Sequence, residues 1–212
     1  SAFRRQRQMC IRDRYFSESI ILRNYEAENF SLFGNIDYFI SDNLKLALGL
    51  RWENWNSKYN DSNNESFNPS DNMNGGKLSL IKYKDKSNIY FSIARGYKQG
   101  GFNLGLDATD NSIRESLIFD PEFLTNYEIG LTSNSTNSNF NYSAVLFYSK
   151  REDQQVLISK QVDPTDPNTF SYLTQNAAQG ENFGLELSSN YFVSDNLNLY
   201  ANVGLLNTKI KN

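Results

Sequence analysis

Residues 88–103 read NIYFSIARGYKQGGFN, and the fold follows from them. The first half alternates with a period of two. Ile89, Phe91 and Ile93 point one way, and Tyr90, Ser92, Ala94, Gly96 and Lys98 point the other. That is a strand with one apolar face and one small or polar face. It runs into Gly100-Gly101, where a strand bends or stops.

The same design recurs on both sides. Upstream, Phe30, Leu32, Ile36, Tyr38 and Ile40 share a face opposite Asn29, Ser31, Asn35 and Asp37. A tight turn at Ser41-Asp42-Asn43 follows, where short side chains satisfy local backbone groups. Leu44, Leu46, Leu48, Leu50 and Trp52 then oppose Lys45, Ala47, Gly49, Arg51 and Glu53. A charge on a lipid-facing surface costs about 2–4 kcal/mol at the bilayer midplane. The phase that keeps all three charges off the leucine face is therefore the correct one. A polar stretch at 56–75 leads to a strand at 76–83 and a short turn at 84–87. Downstream come a long loop at 100–122, a strand at 123–132, a short turn at 133–138 and a strand marked by Phe140, Tyr142, Ala144, Leu146 and Tyr148. A third long loop, 151–180, contains Pro164 and Pro167. Phe183, Leu185, Leu187 and Tyr191 mark the next strand, and the turn Ser194-Asp195-Asn196 leads into Leu197, Leu199, Ala201, Val203 and Leu205. Residues 15–28 are poorly periodic and read as the end of a loop and its returning strand.

Two regularities decide between architectures. YFISDNLKL at 38–46 returns as YFVSDNLNL at 191–199, about 153 positions on. The connections also alternate short and long, as in an up-and-down barrel with short periplasmic turns and long extracellular loops. A soluble β-sandwich or propeller, the competing reading, has no reason to keep its long loops at one end. The expected fold is all-β: an antiparallel transmembrane β-barrel segment of about eight strands. Open sheet edges are not tolerated in lipid, so these strands belong to a larger closed sheet. Aromatics form two belts. Tyr38, Tyr90, Tyr142 and Tyr191, with Tyr83, lie beside short turns. Trp52, Trp55, Tyr97, Phe123 and Tyr148 lie nearer the long loops.

Composition agrees. Aromatics make up 14% of the 212 residues, yet mean hydropathy is −0.61. No run approaches the roughly 18 apolar residues of a membrane helix. A net charge of −3 disfavours nucleic acid as a partner. With no histidine, there is no Ser–His pair and no histidine metal site. Cofactors and metals are not expected: DSNNES and DPTDPN lack EF-hand spacing, and the Gly-Gly pair precedes no helix that would cradle phosphate. Residues 1–14 stand apart. SAFRRQRQMCIRDR holds five arginines and the sole cysteine. RRQRQMCIRD resembles a translated sequencing-adapter read, which would make 1–14 a non-native leader and 15–212 the barrel part.

GYKQGGFN, then Phe119-Asp120-Pro121-Glu122, NYEIGL at 126–131, AVLFYSKREDQQV at 144–156 and the segment 180–186 together resemble TonB-dependent outer-membrane receptors. ENFSLFGNIDY at 28–38 and KLSLIKY at 77–83 fit the same family. The resemblance implies part of a barrel of about 22 strands around a plug, with plug, TonB box and closing strands not in this sequence. It implies an outer-membrane location and active uptake of scarce nutrients, ferric siderophores above all, with cobalamin, haem and glycans as other cargoes. TonB would supply the energy, and no covalent chemistry is involved. A passive porin shares the barrel physics; an enzyme is a distant third, since no nucleophile–base pair is present.

Candidate ligand-binding residues lie at the extracellular end of the polar face. Lys98 would attract an anionic ferric complex, or else pair with an acid such as Glu128 or face the plug. Gln99 and Asn103 flank the bend. Arg151, Asp153 and Gln155 reach beyond the membrane band as ligand groups or as a solvated strand extension. Arg95, on the apolar phase, either meets lipopolysaccharide phosphates or snorkels.

Overall fold

The computed structural model describes residues 21–104, 114–133, 139–161, 165 and 170–211. The basic leader, most of the 133–138 turn, and Pro164 and Pro167 lie outside the described residues. The described chain is almost entirely strand: β1 (Arg23–Ser41), β2 (Leu44–Asp61), β3 (Ser66–Phe67), β4 (Ser70–Tyr83), β5 (Ser87–Lys98), β6 (Gly101–Phe102), β7 (Ile118–Phe119), β8 (Glu122–Ser133), β9 (Phe140–Gln161), β10 (Phe170–Ser194) and β11 (Leu197–Lys211). The main sheet runs β1-β2-β4-β5-β8-β9-β10-β11, with β3 beside β2, while β6 and β7 form a separate small hairpin. Every long strand pairs antiparallel with its neighbour in sequence.

Register fixes the two faces, because directly paired residues point the same way. One cross-strand row reads Tyr38, Leu46, Leu80, Phe91, Ile129, Leu146, Leu185, Leu205. Six of these eight side chains are exposed and Leu46 and Leu185 are half-buried, although none is polar beyond a tyrosine hydroxyl; Leu205, for instance, is 61% exposed. An exposed apolar row crossing the whole sheet is a surface made for lipid. The opposite face carries Asn35, Asp37, Ala47, Gly49, Ser79, Ser92, Glu128 and Gly130 along neighbouring rows. The apolar band also slips across the rows. It reaches Leu32 and Trp52 on β1–β2, but on β10–β11 it stops at Phe183 and extends down to Tyr191 and Leu199. A band that drifts along the strands is what tilted barrel strands require.

The inner face stays low where aromatics lie over glycines of the next strand. The Tyr90 ring covers Gly130, Phe147 covers Gly184 and Tyr97 covers Gly75. Each glycine leaves room for a ring that a Cβ would displace.

The strands are longer than their polar composition suggested. β2 continues to Asp61 and β4 begins at Ser70, inside the expected 56–75 loop. β9 and β10 run for 22 and 25 residues through most of the expected 151–180 loop. Polarity there marks water on the outer face, while backbone pairing persists, with Leu173 opposite Ile158 and Thr174 opposite Leu157. The Ser-Asp-Asn turns match in detail: Ser41 meets Leu44 after an irregularity past Phe39, and Ser194 meets Leu197 after one past Phe192.

Replacing Gly130 by valine would force the Tyr90 ring off the wall and is expected to destabilise the barrel by about 1–3 kcal/mol. Gly34 on the outer face has nothing within 4 Å of an added Cβ, and Gly34→Val should be close to neutral. Urea unfolding of the full-length protein in detergent, followed by tryptophan fluorescence, compares the two.

Candidate functional site

The polar face closes at its long-loop end around the segment that follows β5. Phe102 of β6 stacks on Tyr59 of β2, with centroids 4.3 Å apart and planes at 21°. Tyr59, Phe102, Leu117 and Leu173 form one buried cluster, flanked by Tyr25, Phe67 and Ile158. Tyr59 and Leu173 belong to β2 and β10, which four strands separate. In a flat sheet that is about 24 Å at the usual 4.8 Å spacing. One small apolar cluster joins them only if the sheet curls around the β6–β7 hairpin.

Three carboxamides fasten that hairpin. Asn103 donates from Nδ2 to the Ser116 and Thr174 carbonyls at 2.7 and 2.9 Å, and its Oδ1 accepts the Thr174 N–H at 2.8 Å. Gln155 donates from Nε2 to the carbonyls of Gln99 (2.8 Å) and Asp120 (3.0 Å). Asn176 accepts the Asp120 N–H at 2.7 Å and donates to the Asp120 and Asp153 carbonyls, both at 2.8 Å. Glu122, 9% exposed, lies 3.3 Å from the Arg151 Nε and accepts the Gln155 N–H at 2.9 Å. Asp153 has a left-handed φ of 54° beside a register shift between β9 and β10. The Gln99 side chain accepts from Asn29 Nδ2 at 3.1 Å, tying the loop to β1.

Of the six residues singled out as ligand-binding candidates, Gln99, Arg151, Asp153 and Gln155 thus meet in one network through Glu122, Asp120 and Asn176, while Asn103 clasps Ser116 and Thr174 separately. Lys98 stands apart. It is opposite Glu122 in register and exposed, yet Glu122 pairs with Arg151. Neither Glu128 nor any other described residue forms an ion pair with Lys98. Gly100-Gly101 serves close approach, not a left-handed bend: no described glycine has a positive φ, and a Cβ on Gly100 would come within 2.6 Å of the Phe119 carbonyl and 3.0 Å of Asp71.

The aromatic belts divide by phase. Tyr38, Trp52, Phe123, Tyr142, Tyr148 and Tyr191 stand on the outer rows. Trp52 packs edge-on to Phe30 at 6.1 Å, and Tyr148 against Tyr127 at 6.2 Å. Three others do not join them. Trp55 is three residues past Trp52, so a period of two turns it to the polar face, where it is wholly buried. Tyr90 lies over Gly130 on that same face. Tyr97 places its hydroxyl 2.9 Å from both Arg51 Nε and Glu53 Oε2. Phase sets Trp55 and Tyr90 apart, whereas Tyr97, paired with Phe123, is set apart by the polar partners of its hydroxyl.

That Arg51–Glu53–Tyr97 cluster went unseen in the sequence. Arg51 Nη2 is 2.6 Å from the buried Glu53 carboxylate and its guanidinium lies 5.9 Å from the Phe33 ring centre. The alternation put Arg51 and Glu53 on one face, but Tyr97 comes from a strand 46 positions away from Arg51. Asn176 was also missed, since nothing in an Asn-rich chain distinguishes it.

A family model described as "TonB dependent receptor-like, beta-barrel" matches residues 12–211. The chain belongs to that family. A probable TonB-dependent siderophore receptor, PiuA of Acinetobacter baumannii, is 26% identical over 192 residues, which is 87% of this chain and 24% of the relative. The ferric yersiniabactin uptake receptor FyuA of Yersinia pestis superposes with a TM-score of 0.70 at 18% identity, over 90% of this chain and 28% of that one. The solved structure of PiuA gives 0.61 at 22% identity, over 88% and 26%. The chain therefore spans about a quarter of the length of these relatives. As a TonB-dependent receptor barrel it is an outer-membrane protein of a family of transport receptors, not enzymes.

Asn103→Ala removes three bonds and strands the Thr174 N–H. Loop docking should weaken by about 2–3 kcal/mol, seen as faster hydrogen exchange in β6 and β7. Burial, with Asp120 nearby, raises the Asp71 carboxyl above its ordinary value. A raised folded-state value contributes stability that is present below the ordinary carboxylate range and lost as pH rises through the raised value. Exchange around Gly100 should therefore quicken as pH rises above the ordinary carboxylate range, beyond its intrinsic dependence, and Asp71→Asn should flatten that excess.

Proposed function

We propose that this chain is part of the barrel of a receptor that imports a scarce nutrient across the outer membrane, a ferric siderophore in the first place, using energy delivered by TonB. Membership of the TonB-dependent receptor family carries the reading. Relatives named for siderophore uptake support the choice of cargo. So does the inner face near its outer end, where Lys98 presents an uncommitted positive charge beside a polar, amide-rich loop base. An anionic ferric complex gains most from a cation that no neighbouring carboxylate has neutralised. The clasped hairpin across the inner face also supports a receptor over a passive channel, since it fills space that an open pore would leave to water.

In this reading Lys98 contacts cargo directly. Arg151, Gln155 and Asn103 shape the loop base beside it and act as positioning residues. In the full-length receptor, Lys98→Glu should weaken ferric-siderophore binding about tenfold or more, equivalent to about 1.4 kcal/mol, while Lys98→Arg retains it. Titration of candidate ferric siderophores, read by intrinsic fluorescence, measures this. Iron uptake that persists in cells lacking TonB would overturn the energised mechanism. Saturable binding of cobalamin, haem or a glycan with no siderophore binding would replace the cargo.

A further inference from the structure

The inner face of the sheet is divided by charge. Its cross-strand rows run from Phe33–Arg51 at the loop end to Phe39–Lys45 near the short turns. Within those rows β1 to β5 carry Arg51, Lys77 and Lys45 against one carboxylate, Asp37. The strands β8 to β11 carry Glu128 and Glu186 against one cation, Arg151, and β11 brings no charge. Lys98 stands one row further toward the loops. Four cations therefore descend one side of the wall. Lys98 lies on β5, Arg51 on β2 one row lower, Lys77 on β4 below that, and Lys45 on β2 two rows further down. Rows on one face are about 7 Å apart along a strand, and neighbouring strands about 4.8 Å apart, so no step exceeds about 15 Å.

Lys77 is exposed and makes no ion pair with any described residue. Its neighbours across the row are small, Gly49 and Ala94. With Asn35 and Ser79 it borders a hollow of about 280 Å³. Arg51 and Lys45 each keep an acid beside them, Glu53 at 2.6 Å and Asp37 at 3.1 Å. Neither Glu128 nor Glu186 pairs with a cation among the described residues.

We propose that Lys98, Arg51, Lys77 and Lys45 form a track along which an anionic ferric complex moves inward once it leaves the loop base. The inference rests on the uptake role proposed above and adds the side of the lumen that the cargo takes. Cations at one height suit a static partner, such as a carboxylate of a plug. Cations at four heights on three adjoining strands suit a ligand that is passed on, because each step exchanges one charge contact for the next. Conduction needs stations strong enough to enter and weak enough to leave. The acids beside Arg51 and Lys45 weaken those stations in that sense. Glu128 and Glu186 repel the same cargo from the β8–β11 side.

The test uses the full-length receptor in cells, with radio-iron complexes of a tris-catecholate and of citrate, both anionic, as probes. Binding to de-energised cells gives the affinity and the number of receptors. Energised uptake divided by that number gives the rate per receptor. Lys77→Glu should slow this rate about tenfold at unchanged affinity, and Lys77→Arg should keep it. Thr208→Glu puts an acid in the same cross-strand row on β11 and should leave the rate as in wild type. An unchanged rate in Lys77→Glu, an equally low rate in Lys77→Arg, or an equal slowing in Thr208→Glu would overturn the track and leave the uptake role intact. Absence of TonB-dependent uptake of both complexes by wild type would overturn the ferric-cargo reading, and the track with it.

Discussion

Backbone pairing without water is the constraint on which everything else depends. In hydrocarbon an unbonded N–H or C=O has no substitute partner, so a spanning sheet must pair every strand along its length. This chain meets the demand in the simplest order, each long strand beside its neighbour in sequence. Once pairing is fixed, side-chain period fixes the rest. A one-residue slip would carry Arg51, Glu53 and Lys45 onto the leucine face. The charges therefore do more to specify register than the leucines, which lipid would accept in either phase.

Above the membrane that constraint lifts, and a different one replaces it. β9 and β10 continue as a pair into water, where neither face is forced to be apolar. There the hairpin needs support of its own, since an isolated two-stranded ribbon is marginal. It comes from the β6–β7 segment, which offers Phe102 and Leu117 to Leu173 and Ile158 on one side and Tyr59 on the other. The amides of Asn103, Gln155 and Asn176 then satisfy the loop carbonyls and N–H groups that this packing takes away from water. Buried loop backbone needs such partners, and carboxamides supply donor and acceptor together. The abundance of Asn and Gln around the bend has this structural cause.

The membrane part was legible in the sequence because one variable, the phase of alternation, carries both burial and register. It placed Leu46, Phe91, Ile129 and Leu205 on one face before any coordinates. The loops were less legible, since residues 151–161 and 170–180 look like loop by polarity and are strand by pairing. The candidate site was legible as a neighbourhood, not as a set of roles. Gln99, Asn103, Arg151 and Gln155 were grouped by their height on the strands, and they do come together. That Arg151 answers Glu122 and leaves Lys98 free depends on side-chain reach across three strands. Trp55 and Tyr90 show the cost of ignoring phase even where it was readable.

The repeated hairpin separates local from global causes. YFISDNL and YFVSDNL lie at opposite ends of the sheet, one on β1–β2 and the other on β10–β11. Their surroundings differ, yet the tyrosine meets the second leucine, the serine meets the first, and the same irregularity falls between. Identical geometry in different settings means that the turn sets its own register. Ser41 Oγ donates to Asn43 Oδ1 at 3.0 Å in the first hairpin, and the Asn196 N–H reaches Ser194 Oγ at 3.4 Å in the second, so even the side-chain bonds need not coincide. What is common is the short polar turn between two alternating apolar runs. A sheet assembled from such self-registering hairpins has mainly short sequence separations to close. Register therefore enters at the short turns and propagates outward along each pair of strands. Errors in reading the chain accumulate accordingly at the far end, in the long loops where the clasp lies.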